Sequence, residues 1–397
     1  MNALDGIRVL DLTIWQQGPM TTATLADWGA DVIKIEGPDS PDPGRSLVRY
    51  ETRPGGPNAY FETHNRNKRG IVIDLKVPAG LDLFYRLVGK SDVVYDNFRP
   101  GVMARLGLDY DALKAINPRI VCCSVSGFGQ NGPAKDLAAF DAVVQAMGGG
   151  MSLTGEPGMP PMRMGLPIGD LAGGMLSAFA ICAALYERER TGVGQSIDIS
   201  LLDSQISMLG YYALNYLLTG EVPQAMGGGH SSLVPYQSFK ASDAYMFVAS
   251  HRQNHWERLC RILGRPDLAT DPRFATLADR VKNRGELVPI IEAITATKTA
   301  DEWLAVLYKE GIPAGPVNTV DRAVRQPQVA ARGMVVTIED PVRGPFQVVG
   351  NPVKMSGTPA AAMKPPPVLG EHTVEILNGL LGYSDEEIKS LEEKGVV

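Results

Sequence analysis

Asp170 is the carboxylate whose surroundings best suit chemistry in this sequence. It follows Gly169 and precedes Gly173 and Gly174 at the head of an apolar, helical stretch. One interpretation is a helix N-cap, because an aspartate there accepts a bond from a backbone N–H and stabilises the helix by about 1 kcal/mol. The other is a nucleophile, since small neighbours leave room for a bulky substrate and a carboxylate is ordinarily ionised at pH 7. The pattern alone favours the cap, although one placement can serve both roles.

The glycine motif at residues 127–132 fits GxGxxG but not the context of a dinucleotide site. Pro133 follows at once, and the next helical pattern starts only near Phe140. A dinucleotide fingerprint normally joins the first strand to its helix, and here several strand-like segments precede the motif. The sequence therefore argues against a nicotinamide or flavin site.

Other catalytic patterns are incomplete. His251 and His255 are four residues apart, as metal ligands on one helical face would be, but a third ligand and an HExxH pattern are missing. No serine is framed as GxSxG, and Phe84 occupies the first glycine position of a P-loop ending at residues 89–91. We therefore predict no metal site. His251 and Arg252 remain candidate substrate contacts, because they follow a strand-like run.

Short apolar strands alternate with helical segments over the first 125 residues. This pattern predicts a doubly wound α/β fold with a parallel sheet, in which ligands bind beyond the carboxyl ends of the strands. The predicted strands are 7–12, 31–35, 71–75, 92–95 and 119–125, with helical segments at 20–29 and 80–89. The positions to search for chemistry then follow these strands: Gln16, Gln17, Glu36, Lys76, 97–99 and 126–132.

A second, smaller domain is expected after a long helical stretch at 201–218. Three glycines at 227–229 interrupt the pattern before a strand-like run at 245–249 and several amphipathic helices. A charged amphipathic helix at 385–394 closes the chain.

Composition excludes several classes of protein. The chain has 397 residues, a formal net charge of -6 and 44% hydrophobic residues, which rules out fibrous and disordered classes. The acidic balance makes nucleic acid and membrane surfaces poor partners. The longest apolar stretch, 171–185, is shorter than the roughly 18 residues of a spanning helix. Four cysteines without a CxxC, and a start without a signal peptide, favour the cytoplasm, or the mitochondrial matrix in a eukaryote.

Nearly the whole chain resembles the family III CoA-transferases (CaiB/BaiF family), a group that also includes α-methylacyl-CoA racemases. Many separate motifs carry the resemblance in one order, which makes it highly specific. They are LDGIRVLDLT at 4–13, LADWGADVIKIE at 25–36, NRNKR at 65–69, NFRPG at 97–101, SGFGQNGP at 126–133, TGVGQ at 191–195 and LGEHT at 369–373.

The resemblance assigns Asp170 as the catalytic aspartate. It implies that the carboxylate attacks a donor thioester, that the resulting anhydride is converted to an aspartyl-CoA thioester, and that the acceptor acid reverses these steps without a metal or tightly bound cofactor. Gln16 matches a glutamine that stabilises the oxyanion, and Tyr60 matches a tyrosine lining the site. A solvated loop and a packing aromatic are the alternatives for these two residues.

The resemblance also implies a CoA site. Lys76, Arg99 and Arg105 suit the CoA phosphates, although solvated surface charge is the ordinary alternative. Gly37 and Ala138 replace basic residues of some relatives, so two contacts are absent or supplied elsewhere. The full set of expected contacts is Gln17, Ile73, Lys76, Asn97, Phe98, Arg99 and Arg105.

Residues 230–240 resemble the succinyl-CoA:dicarboxylate (glutarate-type) branch of the family. The expected reaction transfers CoA from succinyl-CoA to a four- or five-carbon dicarboxylic acid. A glycine loop at 227–229 would close over the aspartate, with a plain linker as its alternative. The candidate substrate contacts are Gly228, Gly229, His230, Ser231, Arg45 and Arg252.

Two alternatives remain, a racemase and a non-catalytic CoA-binding relative. Racemases move the α-proton with a histidine that precedes an aspartate, here Asp141, and Phe140 in that place cannot carry a proton. Asp170 and Gln16 together oppose the non-catalytic relative. The family architecture further implies a large domain from both chain ends (1–215 and 330–397), a small α/β domain (225–325) and an interlocked homodimer.

Overall fold

A computed structural model describes residues 1–53 and 56–397 of the chain. The chain folds into two compact units. The larger contains residues 1–150, 163–219 and 328–397, and the smaller contains 151–162 and 220–327. The proposed domain limits stay a prediction; the structure adds residues 151–162 to the smaller unit.

A six-stranded parallel sheet forms the centre of the larger unit, which confirms the α/β class. The strand order is β3-β2-β1-β4-β5-β6, so the order reverses between β1 and β4. Such a reversal opens a crevice beyond the carboxyl ends of the two strands. The strands are β1 (Arg8–Asp11), β2 (Asp31–Glu36), β3 (Arg69–Val72), β4 (Val93–Asp96), β5 (Val121–Ser126) and β6 (Ser196–Ser200).

Both faces of the sheet are covered by helices, as the apolar runs in its strands require. Val9 and Leu10 are neighbours on β1, yet they belong to different core clusters, one on each face. The helices before the long central one are α1 (Gln17–Asp27), α2 (Ala59–Asn65), α3 (Pro78–Val88), α4 (Val102–Arg105), α5 (Tyr110–Ile116) and α6 (Asp141–Met147).

Helix α7 (Ile168–Thr191) is the longest helix of the larger unit. By length and composition alone it is apolar enough to cross a membrane, and half of its most apolar stretch is buried inside the protein. Core helices of soluble proteins share this property. Glycines and alanines dominate its buried side, where it packs on α1, α6 and the sheet.

The predicted helix at 201–218 is two helices, α8 (Leu201–Met208) and α9 (Tyr211–Thr219). Gly210 separates them with a φ of 53°, in the left-handed region that interrupts a helix. The expectation of one continuous helix was therefore wrong.

The smaller unit combines an antiparallel sheet with helices. Its strands are β7 (Tyr236–Lys240), β8 (Tyr245–Ala249) and β9 (Ala314–Pro316), in that order. Trp256, Phe239 and Phe274 are fully buried in its separate core. Its helices are α10 (Gln253–Ile262), α11 (Leu277–Lys282), α12 (Arg284–Thr295), α13 (Ala300–Lys309) and α14 (Val320–Val324).

The end of the chain returns to the larger unit. Thr373 and Val396 bond to β3 and to the segment after it: Val72 N–H donates to Thr373 Oγ1 (3.3 Å), and Asp74 N–H to the Val396 carbonyl (2.8 Å). The remaining elements are α15 (Pro327–Ala331), β10 (Val335–Ile338), β11 (Phe346–Val349), α16 (Thr373–Ile376) and α17 (Asp385–Glu393).

Candidate active site

Asp170 is the third residue of α7, and the helix N-cap is Pro167. The cap interpretation of Asp170 is therefore wrong. The amino end of α7 is held instead by Asp141 on α6, whose Oδ1 accepts from the backbone N–H groups of Gly169 (2.8 Å) and Asp170 (3.2 Å). Asp141 Oδ2 in turn accepts from Gln145 Nε2 (2.7 Å). From the sequence, Asp141 was interpreted only in connection with a racemase. Its contact with α7 joins residues far apart in the chain, and local sequence patterns do not reveal such a contact.

The Asp170 carboxyl is half-buried, and its environment favours the protonated form. Burial, and then the negative charge of Asp141, raise its pKa from 3.8 to about 7. The expectation of a carboxylate fully ionised at pH 7 is thus corrected, because a group with that pKa is about half protonated there. Once ionised, such a group is a more basic nucleophile than an ordinary carboxylate.

Small residues bring α7 against the start of α1. A Cβ on Gly174 would lie 3.1 Å from the Gln17 carbonyl oxygen on α1, and a Cβ on Gly173 would collide with Leu201 Cδ2 on α8 (2.5 Å). Thr21 Oγ1 also donates to the Gly174 carbonyl across this contact (3.0 Å). The turn that carries Asp170 is therefore anchored next to the start of α1 and the loop that precedes it.

Both predicted glutamines lie where the loop after β1 meets α1. Gln16 is the half-buried N-cap residue of α1. Gln17 is buried, and its Nε2 donates to the Tyr95 hydroxyl on β4 (2.7 Å). The Gln17 amide nitrogen therefore has a partner inside the larger unit, whereas its buried Oε1 accepts no hydrogen bond, and its contact with CoA stays a prediction.

Tyr60 lies on α2, near Asp170 in the larger unit. Asn58 caps this helix by accepting from the N–H groups of Tyr60 (3.1 Å) and Phe61 (3.3 Å). Burial, with the charges of Asp170 and Asp42, raises the pKa of the Tyr60 phenol above its usual value. The hydroxyl therefore stays protonated and can donate a hydrogen bond to negative charge developing near it.

A cavity of about 370 Å³ opens beyond β1, β2 and β3. Three of the predicted CoA contacts, Ile73, Lys76 and Phe98, line it, as does Gly37. Apolar side chains such as Ile14, Ile35 and Leu106 form most of its wall, which suits an extended ligand with a charged end at the exposed Lys76.

The other predicted CoA contacts do not line this cavity. Asn97 joins the loops after β4 and β1, accepting from Ile14 N–H (3.0 Å) and donating to the Ile14 carbonyl (2.8 Å). Arg99 lines a separate cavity of about 170 Å³ with Asp96 and Asp198. Arg105 is exposed on α4. The structure thus groups Ile73, Lys76 and Phe98, and places both arginines outside their cavity.

Arg45, a candidate for binding the substrate carboxylate, is already neutralised. Its Nε and Nη2 donate to Glu36 (2.8 and 2.6 Å), its Nη1 donates to the Pro367 carbonyl (3.0 Å), and its guanidinium lies over the Phe61 ring. With one edge of the guanidinium held by a carboxylate and its third nitrogen bonded to a carbonyl, Arg45 has little left for a second carboxylate.

The remaining predicted substrate contacts belong to the smaller unit. Ser238 N–H on β7 donates to the Gly228 carbonyl (3.2 Å), and Gly229 forms a bridge with Gln237. Arg284 donates to the carbonyls of His230 and Ser231. These contacts hold residues 228–231 against β7.

Arg252 is exposed and forms the N-cap position of α10. Among residues 1–53 and 56–397, no three histidine, cysteine, aspartate or glutamate side chains are grouped to hold a metal.

Comparison with known proteins places this site in a family. The model of CoA-transferase family III matches residues 4–373. A mouse succinyl-CoA:glutarate CoA-transferase is 38% identical over 403 residues, covering 100% of this chain and 91% of that protein. An acetyl-CoA:oxalate CoA-transferase of Acetobacter aceti is 41% identical over 354 residues, covering 89% of each. The crystal structure of a CaiB/BaiF family protein from Brucella suis superposes with a TM-score of 0.87 at 39% identity, covering 96% of this chain and 100% of the other.

The parallel α/β sheet and the match over residues 4–373 together assign the chain to a class of transferase. The chain belongs to CoA-transferase family III, and it is a CoA-transferase.

Proposed function

We propose that this enzyme transfers CoA from succinyl-CoA to a short-chain dicarboxylic acid through a thioester on Asp170. The observation that carries the proposal is the Asp170 carboxyl itself, half-buried at the amino end of α7 with a pKa raised to about 7. The glutarate transferase among its relatives supports succinyl-CoA as the donor.

The reaction balances without a redox change. The Asp170 carboxylate attacks the thioester carbonyl of the donor, the C–S bond breaks, and a mixed anhydride forms with release of CoA thiolate. The thiolate then attacks the Asp170 carbonyl carbon and displaces succinate, which leaves the aspartyl-CoA thioester. The acceptor carboxylate attacks that thioester, and the released thiolate captures the acceptor acyl group and frees Asp170.

Two side chains are placed to assist these steps in the proposal. Each attack creates an oxyanion, and hydrogen-bond donors aimed at it lower the barrier. Gln16 offers an amide at the start of α1, and Tyr60 offers a protonated hydroxyl near Asp170. The anhydride also requires exclusion of water, which the burial of Asp170 favours.

The nucleophile is tested by trapping. The protein is incubated with succinyl-CoA and digested, and mass spectrometry locates CoA on peptides. We expect CoA on the peptide containing Asp170 and none in Asp170→Ala, which loses transfer by several orders of magnitude. Asp203→Ala is the matched control, since Asp203 lies in the first turn of the neighbouring helix α8. Normal turnover in Asp170→Ala would refute the proposal.

The acceptor is tested with a panel of acids. Glutarate, itaconate, mesaconate, citramalate, malate, oxalate, formate and carnitine are each offered with succinyl-CoA, and new acyl-CoA products are read by mass. We expect dicarboxyl-CoA products from four- or five-carbon acids. A preference for oxalate, the acid named for the Acetobacter relative, would contradict the proposed chain length.

We also propose a homodimer. Helix α9 exposes Tyr211, Leu214, Leu217 and Leu218, and the last two are about three-quarters exposed. Contiguous apolar surface of this kind marks an interaction site, and a second copy of the chain is the proposed occupant. Light scattering during size-exclusion chromatography is expected to give twice the 42.7 kDa chain mass.

A further inference from the structure

Two oppositely charged side chains are entirely buried behind the loop that carries Gln16. Lys34, in the middle of β2, and Asp42 are both fully buried, and Lys34 Nζ lies 2.9 Å from Asp42 Oδ2. Burying such a pair costs desolvation energy on both ions, so a buried pair is weak evidence for a stabilising role. Its contacts with the loop provide another explanation.

The pair holds the loop backbone from two sides. Lys34 Nζ donates to the Thr13 carbonyl (2.8 Å), and Asp42 Oδ1 accepts from the Trp15 N–H (3.1 Å). Asn97 occupies both backbone groups of the intervening Ile14. Three consecutive residues before Gln16 are therefore fixed through their main chain.

Trp15 shows why the loop needs this support. Its φ is 66°, in the left-handed region that residues with large side chains rarely adopt. A strained backbone of this kind persists only where the surrounding contacts fix it, and such strain is concentrated at functional sites. Gln16 and α1 follow directly after the turn at Trp15.

A second buried pair fixes the base of the loop. Lys68 Nζ lies 2.9 Å from Asp11 Oδ2, and Asp11 Oδ1 accepts from the Thr13 N–H (2.9 Å). Burial alone would raise the Asp11 pKa, but the charges of Lys68 and Lys34 outweigh it and lower that pKa to about 2. The Asp11 carboxylate beside Thr13 is therefore ionised at neutral pH.

We propose that Lys34 and Asp42 are positioning residues for CoA transfer, which hold residues 13–17 in the conformation that presents the Gln16 amide to the reacting carbonyl. Neither side chain reaches solvent, so neither contacts the substrate. The inference rests on the proposed role of Gln16, since displacement of a catalytic group by about 1 Å can cost a factor of 10² in rate.

The test separates positioning from stability by removing one charge or both. Lys34→Met leaves Asp42 unpaired, whereas Lys34→Met/Asp42→Asn removes both charges, which is often neutral for stability. We expect the double variant to regain the melting temperature lost by the single variant. Its single-turnover rate of thioester formation on Asp170 should nevertheless stay about 10- to 100-fold below wild type, with CoA affinity unchanged.

Arg188→Met is the matched control. Arg188 is also buried, and it pairs with Asp92 (2.8 Å) just before β4 begins, at the amino ends of the strands, whereas the loop follows the carboxyl end of β1. This variant should lose stability, while its rate per folded enzyme stays at the wild-type value. If the double variant regains its rate together with its stability, the pair is structural and the positioning role is refuted.

Hydrogen exchange gives a readout that does not depend on catalysis. Backbone amides of residues 13–17 should exchange faster in the double variant and not in Arg188→Met. Unchanged exchange there would also overturn the inference. Absence of a thioester on wild-type Asp170 would instead refute the proposed function, and the exchange result would still decide whether the pair positions the loop.

Discussion

At the scale of single residues, the central feature is a carboxyl group whose ionisation is disfavoured by its surroundings. The pKa of Asp170 is raised to about 7 because burial and the charge of Asp141 both disfavour the ionised form. The N-terminal end of α7 acts in the opposite direction, since its backbone N–H groups favour a negative charge. Asp141 occupies some of those groups, so it fixes the helix and also makes Asp170 more basic.

This pKa predicts the pH dependence of the first chemical step. In the proposed mechanism only the ionised carboxylate attacks the thioester, so the rate of this step should rise about tenfold for each pH unit below the pKa and level off above about 7. Rapid-quench measurement of thioester formation between pH 5 and 9 would show this. Asp141→Asn, which removes the neighbouring charge, should move the midpoint to lower pH. A rate already constant from pH 5 upward would contradict the raised pKa.

At the scale of elements, the meeting of α1 and α7 sets the site. Gly174 allows the close approach, and Gly18, the second residue of α1, has a similar requirement. A Cβ there would collide with the side chain of Thr13 and lie 2.7 Å from its Oγ1. Thr13 cannot move aside easily, because it is buried and bonded to Asp11.

Gly18→Ala should therefore displace the loop. We expect a loss of about 1 to 3 kcal/mol in the free energy of unfolding, as overpacking a tight site costs, and a transfer rate at least about tenfold lower. Denaturant titration and single-turnover kinetics measure the two effects. Gly285→Ala on α12 is the control, since no atom lies within 4 Å of its added Cβ. It should leave the rate unchanged, and an equally harmless Gly18→Ala would show that the loop is not tightly held.

The elements also show what the sequence could predict. Strands β1 to β5 were predicted from apolar runs, with β3 placed two residues too late because Arg69 and Gly70 interrupt the pattern. Strand β6 was missed because its residues, SIDIS, alternate polar and apolar and are partly exposed at the sheet edge. Apolar periodicity detects buried strands, and an edge strand gives a weaker signal.

Long-range polar contacts were beyond prediction. Lys34 lies within an apolar strand pattern, and nothing local shows that it is buried against Asp42 eight residues later. Asp141 likewise reaches α7 across 28 residues of chain. Asp170, Gln16 and Tyr60 were found through the family resemblance. The pKa values of Asp170 and Tyr60 and the position of Gln16 depend on surroundings that only the folded structure reveals.

At the scale of the whole molecule, the last segment of the chain supports the cavity that lies beside the first strands. Ile388 on α17 and Val396 are buried in the same core as Ile73, which lines that cavity. The Val396 carbonyl also holds Asp74, a second lining residue. The proposed CoA cavity is thus supported by segments more than 300 residues apart in sequence.

Truncation of Ile388 should therefore lower both the stability of the protein and its affinity for CoA. Ile388→Ala is expected to cost about 2 to 5 kcal/mol of unfolding free energy, and to raise the dissociation constant for CoA, because the segment at 73–76 loses its backing. Leu287→Ala is the matched control: it empties a similar volume in the core of the smaller unit, at a similar cost. Calorimetric titration with CoA under conditions where both variants are folded separates the cases. Weaker binding in Ile388→Ala alone would support the cavity at residues 73–76 as the CoA site, whereas equal affinity in both variants would place CoA elsewhere.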